Sequence, residues 1–401
     1  MRDTSGGYGA VLAKRPIRDL LLASLCGRFA FNALGLGFVL FAVDETGSVS
    51  VMGALIAAFA VTTAFAPVRG RFVDRHGPGA LAAFALLCSA SVGLMVLVGS
   101  ADGPAWTFVA LGGLAGLFAP PLGPFARSVW SGLPAEGELQ QRVHALDAAG
   151  EESALIVSPL LVSLLVLVGS PGLALSVCAV ALFLGALASG RTSLAREPSA
   201  VREGESPPIP ASLWLVFVAF LPTAAALGAL DIAIPAAATE QGHPAAAGAI
   251  EAVMAVGTVT GSLLAGWWAF GSPQRRLLAM QAVMAGGLAV STLFATQLAL
   301  LGAVLVVPGL ALGALFASLY LLVGQLAPPG SGTRTFAWLV TVNNGGLALG
   351  AAAAGALSEA SGPAAGLWLA TVCALAGIAP ALGALSLSAR IPHGSPTSRT
   401  R

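Results

Sequence analysis

Residues 191–210 read RTSLAREPSAVREGESPPIP, a charged, proline-rich run in a 401-residue chain that is 57% hydrophobic and 9% charged. A globular protein carries about 25% charged residues. This is the longest polar stretch away from the termini, and it cannot pack in lipid. Long apolar runs lie on both sides of it. A helix crosses roughly 30 Å of hydrocarbon with about 20 apolar residues and bonds its own backbone, so each run is expected to be a transmembrane helix. Turn clusters and charges place spans near 20–43, 51–72, 79–99, 104–126, 146–168 and 171–190 before the linker. After it they fall near 211–236, 245–270, 276–297, 299–323, 335–357 and 363–388. The expected fold class is all-α integral membrane, twelve helices in two halves: 1–190, the linker 191–210, 211–390, and a tail 391–401.

Basic residues orient these spans, because short cytoplasmic loops retain Lys and Arg. The connections DETGSVS, SADG, AATEQGHP and SEASG contain none. Of the 19 basic residues only Arg28 lies well inside a span; the others fall in the termini, or in the opposite loops and the span ends that border them, among them Arg69, Arg71, Arg75, Arg127, Arg142, Arg191, Arg275, Arg276 and Arg334. Both termini are expected in the cytoplasm. Lys14, Arg15 and Arg18 precede the first apolar run in the manner of a signal peptide, but no soluble domain follows, so the run is read as a retained span.

Composition also excludes function classes. A net charge of +1 offers no field to attract nucleic acid. Cys26, Cys88, Cys178 and Cys373 sit singly in apolar runs and read as small core hydrophobes. His76, His144, His243 and His393 read as loop or tail residues too scattered for a metal site. No G-x-x-x-x-G-K-[ST] segment is present, so no nucleotide hydrolysis, cofactor or metal is expected, and energy would come from a gradient. Trp106, Trp214, Trp267, Trp268 and Trp368 read as interface anchors. One lysine against eighteen arginines, with abundant Ala and Gly, fits a GC-rich bacterial genome and the cytoplasmic membrane of a bacterium.

The halves repeat. An offset of 192 carries Arg142 to Arg334, the polar pair Glu151 and Glu152 to Asn343 and Asn344, and Pro171 to Pro363. Loop, polar pair and turn recurring in one register suggest two copies of a six-helix unit, as in parallel-repeat transporters.

Between the second and third spans the chain reads GRFVDRHG, the form G-x-x-x-D-R-x-G from Gly70 through Asp74 and Arg75 to Gly77. With twelve helices, a six-plus-six division and a long middle loop, this resembles the major facilitator superfamily over essentially the whole chain. The resemblance implies a cytoplasmic latch between the halves, with Asp74 facing the start of the eleventh helix near Thr333 and Arg334, at the positive end of its dipole. Where the family follows the second glycine with basic residues, this chain has Pro78 and Gly79. On the residues alone, Arg69, Arg71 and Arg75 read as positive-inside anchors. In the fifth span SALIVSPLL has Ser158 before Pro159, without the glycines of the family's antiporter motif, and GGLAGLFAPPLG in the fourth lacks the arginine of proton-coupled members.

A charge near the bilayer centre costs on the order of 2.5–3.5 kcal/mol, so each needs a partner, a wet cavity or a function. The candidates are Arg28, Asp147, Glu151, Glu152, Asp231 and Glu251. Asp147 and Glu151 are four apart and share a helix face, where crowding favours a proton. Alternatively, Arg127 and Arg142 neutralise the cluster in water near the cytoplasm, the favoured reading for Asp147. Glu251, in GAIEAVMAV, either pairs with Arg28 across a cavity or faces an outer vestibule, and Asp231 caps its span. Asn343 and Asn344 either bind substrate or pack between helices. The candidate proton or substrate sites are therefore Arg28, Glu151, Glu152, Glu251, Asn343 and Asn344.

The expected function is secondary transport of a small solute by alternating access, as a monomer in the bilayer with protons as coupling ion and export of an amphipathic compound as the leading direction. Metabolite uptake or facilitated diffusion are alternatives. A non-transporting receptor or scaffold is the alternative of another class.

Overall fold

Apolar sequence with few backbone breakers inside each run gives helices, and breakers at their ends give the turns. A computed structural model describes residues 7–47, 49–101, 103–133, 139–196, 207–243, 246–267 and 272–378. Arg202 and the middle of the linker, Trp268, His393, Arg390, Arg399, Arg401, the end of the expected twelfth span and the tail lie outside them.

The described residues form α1 (Tyr8–Ala13), α2 (Arg15–Thr46), α3 (Val49–Thr63), α4 (Ala66–His76), α5 (Pro78–Ser100), α6 (Trp106–Leu117), α7 (Leu122–Ser131), α8 (Leu139–Val168), α9 (Pro171–Arg191) and α10 (Ser193–Arg196). After the linker come α11 (Ala211–Glu240), α12 (Ala246–Trp267), α13 (Pro273–Thr292), α14 (Leu298–Leu326), α15 (Gly332–Ser361) and α16 (Pro363–Ala376). Prolines begin α5, α9, α13 and α16, where a missing N–H costs nothing. Ser170 caps α9 by accepting from Leu173 N–H at 3.1 Å. Among the described residues nine helices are long and apolar enough to cross a membrane, counting α6 with α7 as one, or ten with the bent pair α3 and α4. Of the two further expected spans, α13 is diluted by Arg275, Arg276 and Gln281, and the described part of α16 is 14 residues long. The fold is all-helical and membrane-embedded.

Two expected spans are not continuous. The second bends by 46° between Thr63 and Ala66, and the fourth breaks between Leu117 and Leu122 at Pro120 and Pro121, which have no N–H to continue the ladder. The helix resumes as α7 and runs to Ser131, so Arg127, expected in a loop, is helical and buried.

Two sets of buried apolar residues form two cores. One is built from residues between Val11 and Ala195. The other runs from Leu213 to Ala374 and takes in Ala145 and Ala148 of α8. In the second, α12 and α14 pack at close range: a methyl on Gly261 would overlap the Leu310 carbonyl, and one on Gly313 that of Thr258. The α8 helix packs on α2 and also on α12 and α14, while α15 packs on α4 and α7.

Candidate functional site

The ends of the helices that bear the arginines, hereafter the basic end, carry the hydrogen bonds that join the two cores. Asp74, at the last turn of α4, accepts from Thr333 N–H at 2.9 Å through Oδ1 and from Arg334 N–H at 2.8 Å through Oδ2. These are two of the unpaired donors of the first turn of α15, where the helix dipole favours a carboxylate. Gly70, one turn earlier, lies flat on α15: a Cβ there would be 2.8 Å from Arg334 Cα and 2.9 Å from Thr333 O. Gly77 ends α4 with φ of +75°, which only glycine adopts freely, and so turns the chain into α5. Arg75 is exposed. Around this contact Ser128 Oγ meets Thr333 Oγ1 at 3.1 Å. Gln141 donates to Ala265 O, and the Tyr8 hydroxyl to Leu263 O.

Arg69 corrects the anchor reading. It is 5% exposed and donates through Nη1 to the carbonyls of Thr62, Gly116 and Leu117 at 3.1, 3.0 and 3.1 Å, and through Nη2 to Thr63 at 2.9 Å. These oxygens lie at the ends of α3 and α6, where the two spans break. One guanidinium therefore supplies donors to four carbonyls at the interrupted helix ends, of which Thr62 O and Gly116 O also take a turn bond from Phe65 and Ala119 N–H.

Deeper, about 12–18 Å along α8 from its start at the basic end, lies a four-membered ion cluster. Arg28 donates to Asp147 Oδ1 at 2.7 Å and to Glu151 Oε2 at 2.8 Å. Arg127 reaches Asp147 Oδ2 through Nε at 2.9 Å and Glu151 Oε2 through Nη2 at 2.8 Å. Trp130 Nε1 adds a donor to Asp147 at 3.3 Å. Two cations and two anions cancel, which is how buried charge is tolerated. The Asp147 side chain is wholly buried, whereas that of Glu151 keeps 26% exposure. Asp147 is thus paired in the interior and not neutralised in water. Arg28 is consumed by α8, which overturns its pairing with Glu251. The other face of Arg127 lies on the Tyr320 ring of α14, 3.9 Å from its centroid.

The remaining candidates are dispersed. Glu152 is half-buried and makes no hydrogen bond or ion pair among the described residues, and Glu251 is exposed. Asp231 is exposed nine residues before the end of α11 and does not cap it. Asn343 Oδ1 is buried without a partner, Asn344 is exposed, and neither amide hydrogen-bonds to the ion cluster. His144, expected in a loop, is fully buried in α8, and Cys26, expected in the core, is exposed.

Sequence reasoning missed Trp130, His144 and Tyr320, and it named Arg127 as a partner of the cluster but placed it in a wet loop. A signal existed for part of this: Gln140, His144, Asp147 and Glu151 follow one helical stripe, and a polar stripe in a membrane helix faces protein rather than lipid.

No protein-family profile matches the chain, and no curated protein matches its sequence. Solved structures do. The human organic anion transporter MFSD10 (TETRAN) is 17% identical, with 92% of this chain and 99% of that one covered at a TM-score of 0.70. A bacterial homologue of the iron transporter ferroportin, in its outward-facing state, is 13% identical with the same coverage and a TM-score of 0.74. The E. coli fucose:proton symporter FucP is 14% identical, with 92% and 98% covered and a TM-score of 0.69. At these identities the likeness is one of fold: the chain has the major facilitator fold.

Proposed function

We propose that this chain is a secondary transporter of a small solute, working by alternating access between halves 1–190 and 211–390, and that the arrangement described is its outward-facing state. The observation that carries the proposal is the combination of a buried ion cluster within the helix bundle with a basic end where Asp74 binds the α15 N-terminus. A membrane protein retains such costly charge where something must pass or be sensed. Asp74, Gly70, Arg75 and Gly77 are read as the latch, and the basic end as cytoplasmic.

Proton-coupled export is the favoured version. Glu151 is held by two arginines, so the proton-carrying role falls to Glu152, whose carboxylate has no hydrogen-bond or ion-pair partner among the described residues. Arg28 and Glu151 then shape the site, with Glu251, Asn343 and Asn344 in reserve along the solute path. The structural neighbours are described as carrying an organic anion, iron and fucose, so the fold selects no substrate. The cluster is neutral, and among the described residues the carboxylates Glu152, Asp231 and Glu251 stand outside any ion pair, which favours an amphipathic or weakly cationic solute.

The test is counterflow in proteoliposomes over a panel of amphipathic cations and metabolites, with and without a pH gradient. Glu152→Gln is expected to abolish the stimulation by the gradient while leaving counterflow intact. Gradient stimulation that survives in Glu152→Gln would refute its role, and binding without movement of any compound would favour a receptor.

A further inference from the structure

The latch joins the halves at the rim of the basic end, and the ion cluster lies deeper, on α2, α7 and α8 of the first half. Alternating access requires that the two communicate, and Arg127 offers a physical link. Two of its three nitrogens are engaged, Nε by Asp147 and Nη2 by Glu151, which fixes the plane of the group. The flat face so presented lies 3.9 Å from the centroid of Tyr320. Tyr320 belongs to α14, in the second half, and is 6% exposed. Its ring stacks on Phe316 at 5.8 Å, and Phe316 meets Phe220 of α11 at the same distance. The aromatic contact therefore runs from the cluster into the second core.

We infer that Tyr320 is the residue through which the ion cluster of the first half holds the second half against it, and so sets the equilibrium between the closed and open basic end. This rests on the alternating-access reading above. A cation over an aromatic face in a desolvated site is attracted to the ring itself. Because α7 and α14 belong to opposite halves, opening the basic end parts the two groups. The attraction acts in the closed state only, and a contact made in one state shifts the population toward it. Tyr320 is thus a positioning residue that acts through Arg127 and not by touching the solute.

The experiment reads opening of the basic end as the rate at which a membrane-impermeant maleimide labels Gln141→Cys, placed in the α8 to α12 seal, in a chain whose four native cysteines are serine. Tyr320→Leu is expected to raise the rate by about tenfold, the middle of the range for such contacts, whereas Tyr320→Phe, which keeps the ring, labels like the parent. In an Arg127→Gln background Tyr320→Leu and Tyr320→Phe are expected to label alike, which separates the cation contact from mere packing. Tyr320→Met replaces Tyr320→Leu if the latter fails to reach the membrane. The inference is overturned if Tyr320→Phe opens the seal as much as Tyr320→Leu, or if the difference persists without Arg127. Asp74→Asn serves as the second control. If it labels fast while Tyr320→Leu stays slow, only the role of Tyr320 falls; if both stay slow, alternating access itself is refuted and the inference with it.

Discussion

Replacing Asp74 by Asn removes the charge from the contact on the first turn of α15 and keeps the size of the side chain. The carboxylate accepts two backbone N–H groups at 2.9 and 2.8 Å; the amide accepts one and turns an NH₂ toward the other donor. Hydrogen bonds to charged groups contribute about 1.5–3 kcal/mol each, and the favourable helix-terminus interaction adds roughly 0.3–1 kcal/mol. Losing one such bond and the dipole term weakens the closed state by about 2–4 kcal/mol. At about 1.4 kcal/mol per tenfold, the open-to-closed ratio rises roughly 30- to 700-fold. The cysteine at position 141 reads this directly: the labelling rate should climb by at least tenfold, and Asp74→Ala should match or exceed Asp74→Asn. Labelling within twofold of the parent in both variants would show that the contact does not hold the seal, and the latch argument would fail.

Three further outcomes follow from the geometry. Gly70→Ala places a methyl within 3 Å of the α15 backbone, an overpacking cost of about 1–3 kcal/mol; opening of the seal should rise without loss of the folded protein, as checked by labelling and by size-exclusion chromatography. Arg69→Gln leaves carbonyls at two helix ends short of donors, so its apparent Tm in detergent should fall by several degrees, with Arg69→Lys intermediate because an ammonium has three donors to spread over four oxygens. Arg28→Gln leaves two buried carboxylates sharing Arg127 alone, and removing one partner of a buried ion pair costs about 3–5 kcal/mol; yield and Tm should drop more than for Glu251→Gln, whose carboxylate is exposed.

The sequence by itself determined the helical, membrane-embedded class, because backbone polar groups in lipid leave a long apolar run little choice but a helix. Both ends of α5 and α9 and the start of α11 lie within a residue of the positions expected from prolines, Gly-Ser turns and charges, since those breakers act locally. The turn before α14 was less legible: α13 ends at Thr292, five residues before the expected boundary at 297, because no Gly or Pro marks the stop. Spans two and four read as continuous for the same reason in reverse. Their breaks are stabilised by Arg69, and its four carbonyl partners come from two helices that only the folded chain brings together.

The candidate site divides along the same line. Arg28, Asp147 and Glu151 were visible as charges in the wrong solvent, but which cation meets which anion depends on how α2, α7 and α8 are placed side by side. A spacing of four residues puts Asp147 and Glu151 on one face; it says nothing about the helix opposite. Arg127 was expected to neutralise the acids from a wet loop, whereas α7 resumes beyond the double proline and carries it inward. The Tyr320 contact was out of reach altogether, since its partners are 193 residues apart and a single tyrosine in an apolar run has no periodic signature. Local chemistry fixes which segments enter the membrane, whereas the pairing of buried charges is a property of distances between segments, and those exist only once the helices have packed.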